Sequence, residues 1–273
     1  VMDAGELEVF RRHAGDATLL AGGAAAILLQ LADPRVARGV ARHSAFRTDP
    51  LARLRGTLDY VHAIGFGDER IRQAAAAAVD ERHRPVRGAA SASAPSYSAF
   101  DRDAQRFVAS TLLAVGLDLE ERLAGPLDPP TADILVRGYG DLAANLQARS
   151  AGWPSTRAEF DRWWRSRLST LKVGDEARDI SRALLVEPEL PGWMRLALPP
   201  VRLVTAALLP AQIRAAYGFR FTPRVARAAD GWFTALRVAR VVLPDRVRRA
   251  PMRESLRRAA VRSRYAESGI GTG

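Results

Sequence analysis

The chain has 273 residues, 48% hydrophobic and 26% charged, enough to bury a substantial core and ordinary for a globular protein. It has no cysteine, which excludes disulfides, thiolate metal sites, iron–sulfur clusters and cysteine nucleophiles, and which fits a reducing cytoplasm. Its net charge of +11 is almost wholly arginine, because Lys172 is the only lysine.

The opening segment VMDAGELEVFRRHAGD lacks the apolar centre of a signal sequence, and Glu6–Arg12 reads as a short helix. Asp16 is placed to cap a helix over Thr18–Ala32. Its side chains are apolar on nearly every face, the pattern of a buried helix. That apolar run is still well short of the roughly 20 residues needed to span a membrane. Asp33-Pro34 opens the next helix, which ends near His43. Asp49-Pro50 opens another over Leu51–Ile64, stopped by Gly65 and Gly67. The alanines of Asp68–Arg82 favour helix up to His83, where Pro85 and Gly88 end it. Ala89–Ser98 is a run of small residues that reads as a loop and as a candidate lid. Helices are then expected over Asp101–Val115, over Ala132–Ala148 with Thr131 as cap, and over Arg157–Leu171 with Ser155-Thr156 as cap. Arg178–Leu185, Val201–Leu209, Ala211–Tyr217, Ala226–Val242 and Arg253–Ser263 follow.

No segment alternates with a period of two for long, no repeat is visible, and no linker forces a split. The expectation is an all-α fold: one large helical domain over 1–273, with a core at about 15–221 and a basic helical extension at 224–264. That extension holds twelve arginines against Asp230, Asp245 and Glu254. Such a tail suits an anionic membrane surface or nucleic acid, or is simply a solvated helical face. With no aromatic residue interleaved between Phe233 and the end of that stretch at Arg264, nucleic acid is not the expected partner.

Protease, phosphate-loop and dinucleotide motifs are absent. The chemistry-bearing stretch is His43–Gly88, which holds three of the four histidines, an Arg53-x-x-x-Thr57 pair and a His83-x-x-Val86-x-Gly88 turn. A bare metal centre needs several ligands at helical spacing, and neither Glu-x-x-His nor His-Glu-x-x-His occurs. Haem needs one axial histidine, an apolar slot and basic groups for its propionates. His83 is the sharpest candidate, and His43 and His62 are the others; His13 is expected to be exposed. A histidine at a helix end is also favourable against the helix dipole without any ligand. Arg53 and Thr57 share a helix face, so they could serve a ligand together or stand as a surface arginine and an interior threonine.

The order GGAAAILLQLADPRVARGVARHSAFRTDPLARLRGTLDYV…FG…HRPVRG…YSAFDRDAQRFVASTL resembles the catalytic domain shared by MpaB-type oxygenases and latex-clearing rubber oxygenases. WPSTRAEFDRWW and LLPAQIRAAYGF fit the same pattern, and the resemblance runs from about Gly15 to Phe221. It implies an all-α fold that binds haem b in a pocket between helices. It further implies His83 as proximal ligand of the haem iron, and Arg53 and Thr57 beside the haem as cofactor-binding and catalytic residues. Tyr97 matches a tyrosine that commonly follows the His-x-x-Val-x-Gly turn. Asp33-Pro34 stands where the family commonly has His-Pro, Phe107-Val108-Ala109-Ser110-Thr111 where it has Trp-Val-His-x-Thr, and Gly56 where rubber oxygenases carry lysine. These departures argue against polyisoprene as substrate.

The expectation is therefore a cytoplasmic, haem b-dependent oxygenase. Its partners would be dioxygen or peroxide and a small or lipid-like organic substrate, with peripheral membrane contact through the basic helices. The competing expectation is a haem-free protein of the same fold that binds hydrophobic ligands or a membrane surface. No oligomeric state follows from the sequence.

Overall fold

A computed structural model describes residues 2–43, 50–91, 95–146, 152–186 and 195–267; the side chains of 50–54 and 265–267 are outside the described set. The fold is all-α. In chain order the helices are α1 (Ala4–Ala14), α2 (Gly23–Leu31), α3 (Pro34–His43), α4 (Pro50–Phe66) and α5 (Glu69–His83), then α6 (Arg102–Ala124), α7 (Pro129–Ala144), α8 (Arg157–Thr170) and α9 (Asp175–Leu185). They continue as α10 (Leu198–Leu208), α11 (Ala211–Ala216), α12 (Pro223–Val242), α13 (Asp245–Arg248) and α14 (Ala250–Glu267).

Six of the helix starts are set by one short side chain. Asp3, Asp68, Asp101, Asp128, Thr156 and Thr222 each accept a first-turn backbone N–H that would otherwise lack a partner. Three boundaries differ from the sequence expectation. The helix expected from Thr18 begins instead as a 3-10 turn over Ala17–Gly22, because Asp16 takes both the backbone N–H and the hydroxyl of Thr18. α7 is capped by Asp128 with Pro129 behind it, not by Thr131, whose N–H is the donor. α6 runs past Gly116 to Ala124, since Gly116 faces Tyr139: a Cβ there would stand 3.0 Å from the phenol oxygen. That glycine serves a close approach and does not end the helix.

α6 runs between two apolar clusters. In one, Leu28, Leu29 and Leu31 of α2 pack with Val115 and Leu119, Leu208 of α10 and Phe233 of α12. In the other, Phe10, Ile64, Leu113, Val136 and Phe160 join α1, α4, α6, α7 and α8. α2 is buried, as its all-round apolarity implies.

The basic C-terminal helices depart from the picture of a solvated face. Arg258 and Arg262 of α14 both donate at 2.8 Å to Asp59 of α4, which is 7% exposed. Arg248 pairs with Asp16, and Arg240 pairs with Glu120, itself only 1% exposed. His13 is also part of this network: its Nδ1 lies 3.0 Å from Glu120, so it is half-buried where the sequence suggested exposure. Among the described residues no single helix is long and apolar enough to cross a membrane.

Candidate functional site

α4 and α5 are joined by the tight Gly67-Asp68 turn and lie side by side in opposite directions. Gly56 and Tyr60 of α4 face Arg82 and Ala74–Ala75 of α5 across a narrow seam, which Ala259 of α14 also lines. At Gly56 a Cβ would stand 3.3 Å from an Arg82 guanidinium nitrogen. The register therefore sets the C-terminus of α5, with His83, beside the N-terminal half of α4. Arg53 and Thr57 lie there. Thr57 is exposed, contrary to an interior placement. The Arg53 side chain lies outside the described residues.

His83 closes α5 in the position that favours a basic group against the helix dipole. Its ring meets Phe100 edge-on, centroids 6.4 Å apart and planes at 85°. Its Nδ1 is buried, while the residue as a whole is half-exposed. The chain then turns: the Val86 N–H donates to the His83 carbonyl at 2.9 Å, and the Ala99 N–H to the Val86 carbonyl at 2.8 Å. Between them Arg87–Gly88 (β1) pairs antiparallel with Tyr97–Ser98 (β2). This two-residue ladder lies partly inside the stretch that the sequence presents as a loop.

Tyr97 explains the shape of the His-x-x-Val-x-Gly turn. Its ring lies directly on Gly88, where a Cβ would approach it at 2.5–2.8 Å, so only glycine fits. The opposite edge packs on Gly39 of α3 beside Val86. The Tyr97 hydroxyl is 3.0 Å from His43 Nε2 at the end of α3. Arg38 sits 5.4 Å from the Tyr97 ring centroid, and its Nη1 donates to the carbonyls of Ala89 (3.1 Å) and Pro95 (2.7 Å). The expected lid is thus tied at both ends by one buried arginine. Residues 92–94 at its tip are outside the described residues, as is Phe46–Asp49 before α4.

The four histidines separate into distinct roles. His83 and His43 bracket the β1–β2 hairpin. His62 is only 5% exposed and points elsewhere, toward Phe66 and roughly 140° around α4 from Thr57. Burial pushes its pKa down to about 4, Arg258 adds to the fall, and Asp59 opposes it; its Nδ1 has no hydrogen-bond partner. His62 is therefore a neutral core residue. His13 belongs to the Glu120 ion pair.

Among the described residues no three His, Asp or Glu side chains gather at metal-binding spacing. A group needing a single axial nitrogen fits better. Nδ1 of His83 is buried, so an iron would be approached through Nε2. Phe100, 36% exposed, offers an apolar surface beside the ring, and Arg82, Arg84 and Arg87 offer cations at the same end of the hairpin. The residues present suit a planar cofactor with acidic side arms.

The Asp33 position, where the family commonly has histidine, holds a buried carboxylate. Arg35 (2.8 Å) and Arg167 (2.5 Å) donate to it, and they keep its pKa low against the opposing pull of burial. It locks α3 to α8 and is removed from chemistry. A second cavity, a cleft of ≈ 250 Å³, opens between α2, α6, α8 and α10; it is lined by Leu29, Val115, Trp164, Leu208 and Pro210 with Asp118 among them. Sequence periodicity passed over it, because its walls come from four separated segments.

The family described as ER-bound oxygenase mpaB/B'/Rubber oxygenase, catalytic domain, matches residues 10–242, beyond the Phe221 limit of the sequence resemblance. Two mycobacterial proteins, one from Mycobacterium tuberculosis and one from Mycobacterium bovis, both called uncharacterized, are each 32% identical to the chain over 228 residues. The alignment covers 82% of this chain and 89% of each relative. No solved structure matches the chain.

Proposed function

The chain belongs to the mpaB/rubber oxygenase catalytic-domain family, and from that premise we propose that it is a haem b-dependent oxygenase whose iron is held by His83. The observation that carries the proposal is the placement of His83. It ends α5 with Nδ1 buried, on the hairpin that also carries the Arg53–Thr57 turn. Haem, when bound, supplies an iron at which dioxygen or peroxide is activated, and the oxidation itself belongs to that cofactor.

The chain's own residues do the rest. His83 would fix the cofactor through Nε2, with its ring packed edge-on against Phe100. Arg82 would offer a guanidinium group to the acidic side arms, and the reading assigns Arg53 and Thr57, one turn apart on α4, to the same cofactor. The Tyr97–His43–Arg38 clamp keeps the turn after His83 from drifting. The substrate would be a small or lipid-like organic molecule, with polyisoprene disfavoured by Gly56 and Asp33. The setting proposed is cytoplasmic.

An absorption spectrum of protein expressed with haem supply, beside His83→Ala, tests this. An intense Soret band that the variant loses or strongly shifts is the expected result. A band unchanged in the variant would reject His83 as ligand and turn attention to His43. No band even after reconstitution with haem would reject the haem oxygenase. The reading then favoured is hydrophobic-ligand binding without haem, for which the ≈ 250 Å³ cleft walled by Leu29, Val115, Trp164 and Leu208 is the candidate place.

A further inference from the structure

The outer side of α12 is apolar where a solvated helix would be charged. Trp232, Ala235, Val238 and Val242 follow one another at spacings of three and four, so they line one face, while Phe233 and Ala229 on the opposite face are buried. Trp232 and Val238 are 43% and 55% exposed. The surface becomes more prominent toward the corner where α12 meets α13: Val241 is 83% exposed and Val242 70%, followed by Leu243 at 41% and Val247 at 49%.

The charges around this corner are predominantly positive. Arg240, Arg248, Arg258 and Arg262 are engaged with acids of the main body. Arg237, Arg246, Arg249 and Arg253 flank the exposed valines, and Asp245 is the acid among them, paired with Arg248 and, at 4.0 Å, with Arg249. Arg237 and Arg253 donate to backbone carbonyls, of Arg122 and Arg246, which leaves their charge uncompensated.

We propose that the α12–α13 corner docks on an anionic lipid surface. Protruding valine and leucine side chains at a helix end reach the acyl boundary, while guanidinium groups beside them meet lipid phosphates. A second copy of the chain fits less well, because a two-fold contact through this corner would bring the same arginines together. The proposal stands apart from the haem reading, since it uses neither the α4–α5 hairpin nor the cofactor. It changes the basis of membrane contact: ion pairs occupy much of the tail's formal charge, and a small apolar tip with a local basic rim remains.

The test is cosedimentation of the full chain with vesicles of phosphatidylglycerol and phosphatidylcholine, and with phosphatidylcholine alone, at low and high salt. Binding to the anionic vesicles, weakened by salt and roughly tenfold or more tighter than to the neutral ones, is expected. A Val241→Asp/Val242→Asp variant should lose about tenfold or more in affinity. Both positions are exposed, so far-UV circular dichroism should be unchanged. Arg246→Gln should cost about fivefold. Failure to bind anionic vesicles at low salt overturns the proposal, as does equal binding by the double valine variant. Light scattering that shows a dimer, split by the same two substitutions, would assign the face to a second copy and overturn it as well.

Discussion

His62 couples stability to mild acid. Its pKa falls from the usual 6.5 to about 4 because the ring is buried. Unfolded chains take up a proton as pH drops through 6.5, while the folded protein does not until about 4. The stability contributed by this neutral ring is therefore complete above 6.5 and is lost between 6.5 and 4, up to ~3 kcal/mol. Asp16, Asp33, Asp59 and Glu120, whose pKa values are lowered, act in a separate window: their contribution is lost as pH falls below the carboxylate range. In His62→Phe, urea midpoints measured from pH 7 to 4.5 should fall less steeply than in the parent; parallel curves would remove His62 as the cause. Gly88→Ala tests a different residue. Its new methyl would meet the Tyr97 ring at 2.5 Å, so the ring must move and the bond to His43 must open. A loss of about 1–3 kcal/mol by thermal unfolding is expected, together with weaker haem retention if His83 depends on that turn. Retention equal to the parent would free the turn from the clamp.

At the scale of helices, local chemistry decided what the sequence could disclose. Asp68 before α5 and Thr156 before α8 sit at the helix starts that their side chains announce, because a cap acts within three residues. The continuation of α6 past Gly116 was hidden, since what tolerates that glycine is Tyr139 on α7. The pairing of Arg240 with Glu120 was hidden in the same way: an arginine-rich stretch looks solvated until its acids arrive from far along the chain. Tyr97 was legible through family resemblance alone, and its contacts with Gly88, Gly39 and His43 supply the physical reason. His83, by contrast, is marked locally by the proline and glycine that follow it. Glu120→Gln should leave His13 without its acid and Arg240 with Asp16 alone, at 3.7 Å, and cost about 3 kcal/mol, equivalent to a melting point roughly 5–10 °C lower. A change under 1 °C would mean that these charges are solvated after all.

For the molecule as a whole, α6 divides two apolar clusters, and α14 closes the outer side of the hairpin that carries the candidate site. Asp59, two residues from Thr57, is held by Arg258 and Arg262, and Ala259 packs over the alanines of α5. That contact joins an early part of the polypeptide to a late one, and it fixes an order of events during synthesis. When His83 leaves the ribosome, the helix that will cover its hairpin has not yet been made. At roughly 5–20 residues per second, α14 follows ~10–35 s later. The growing chain carries an uncovered hairpin and unpaired buried-type acids through that interval. The candidate site is completed long after translation of its own residues, so capture of the proposed cofactor would belong to the end of folding and not to its beginning.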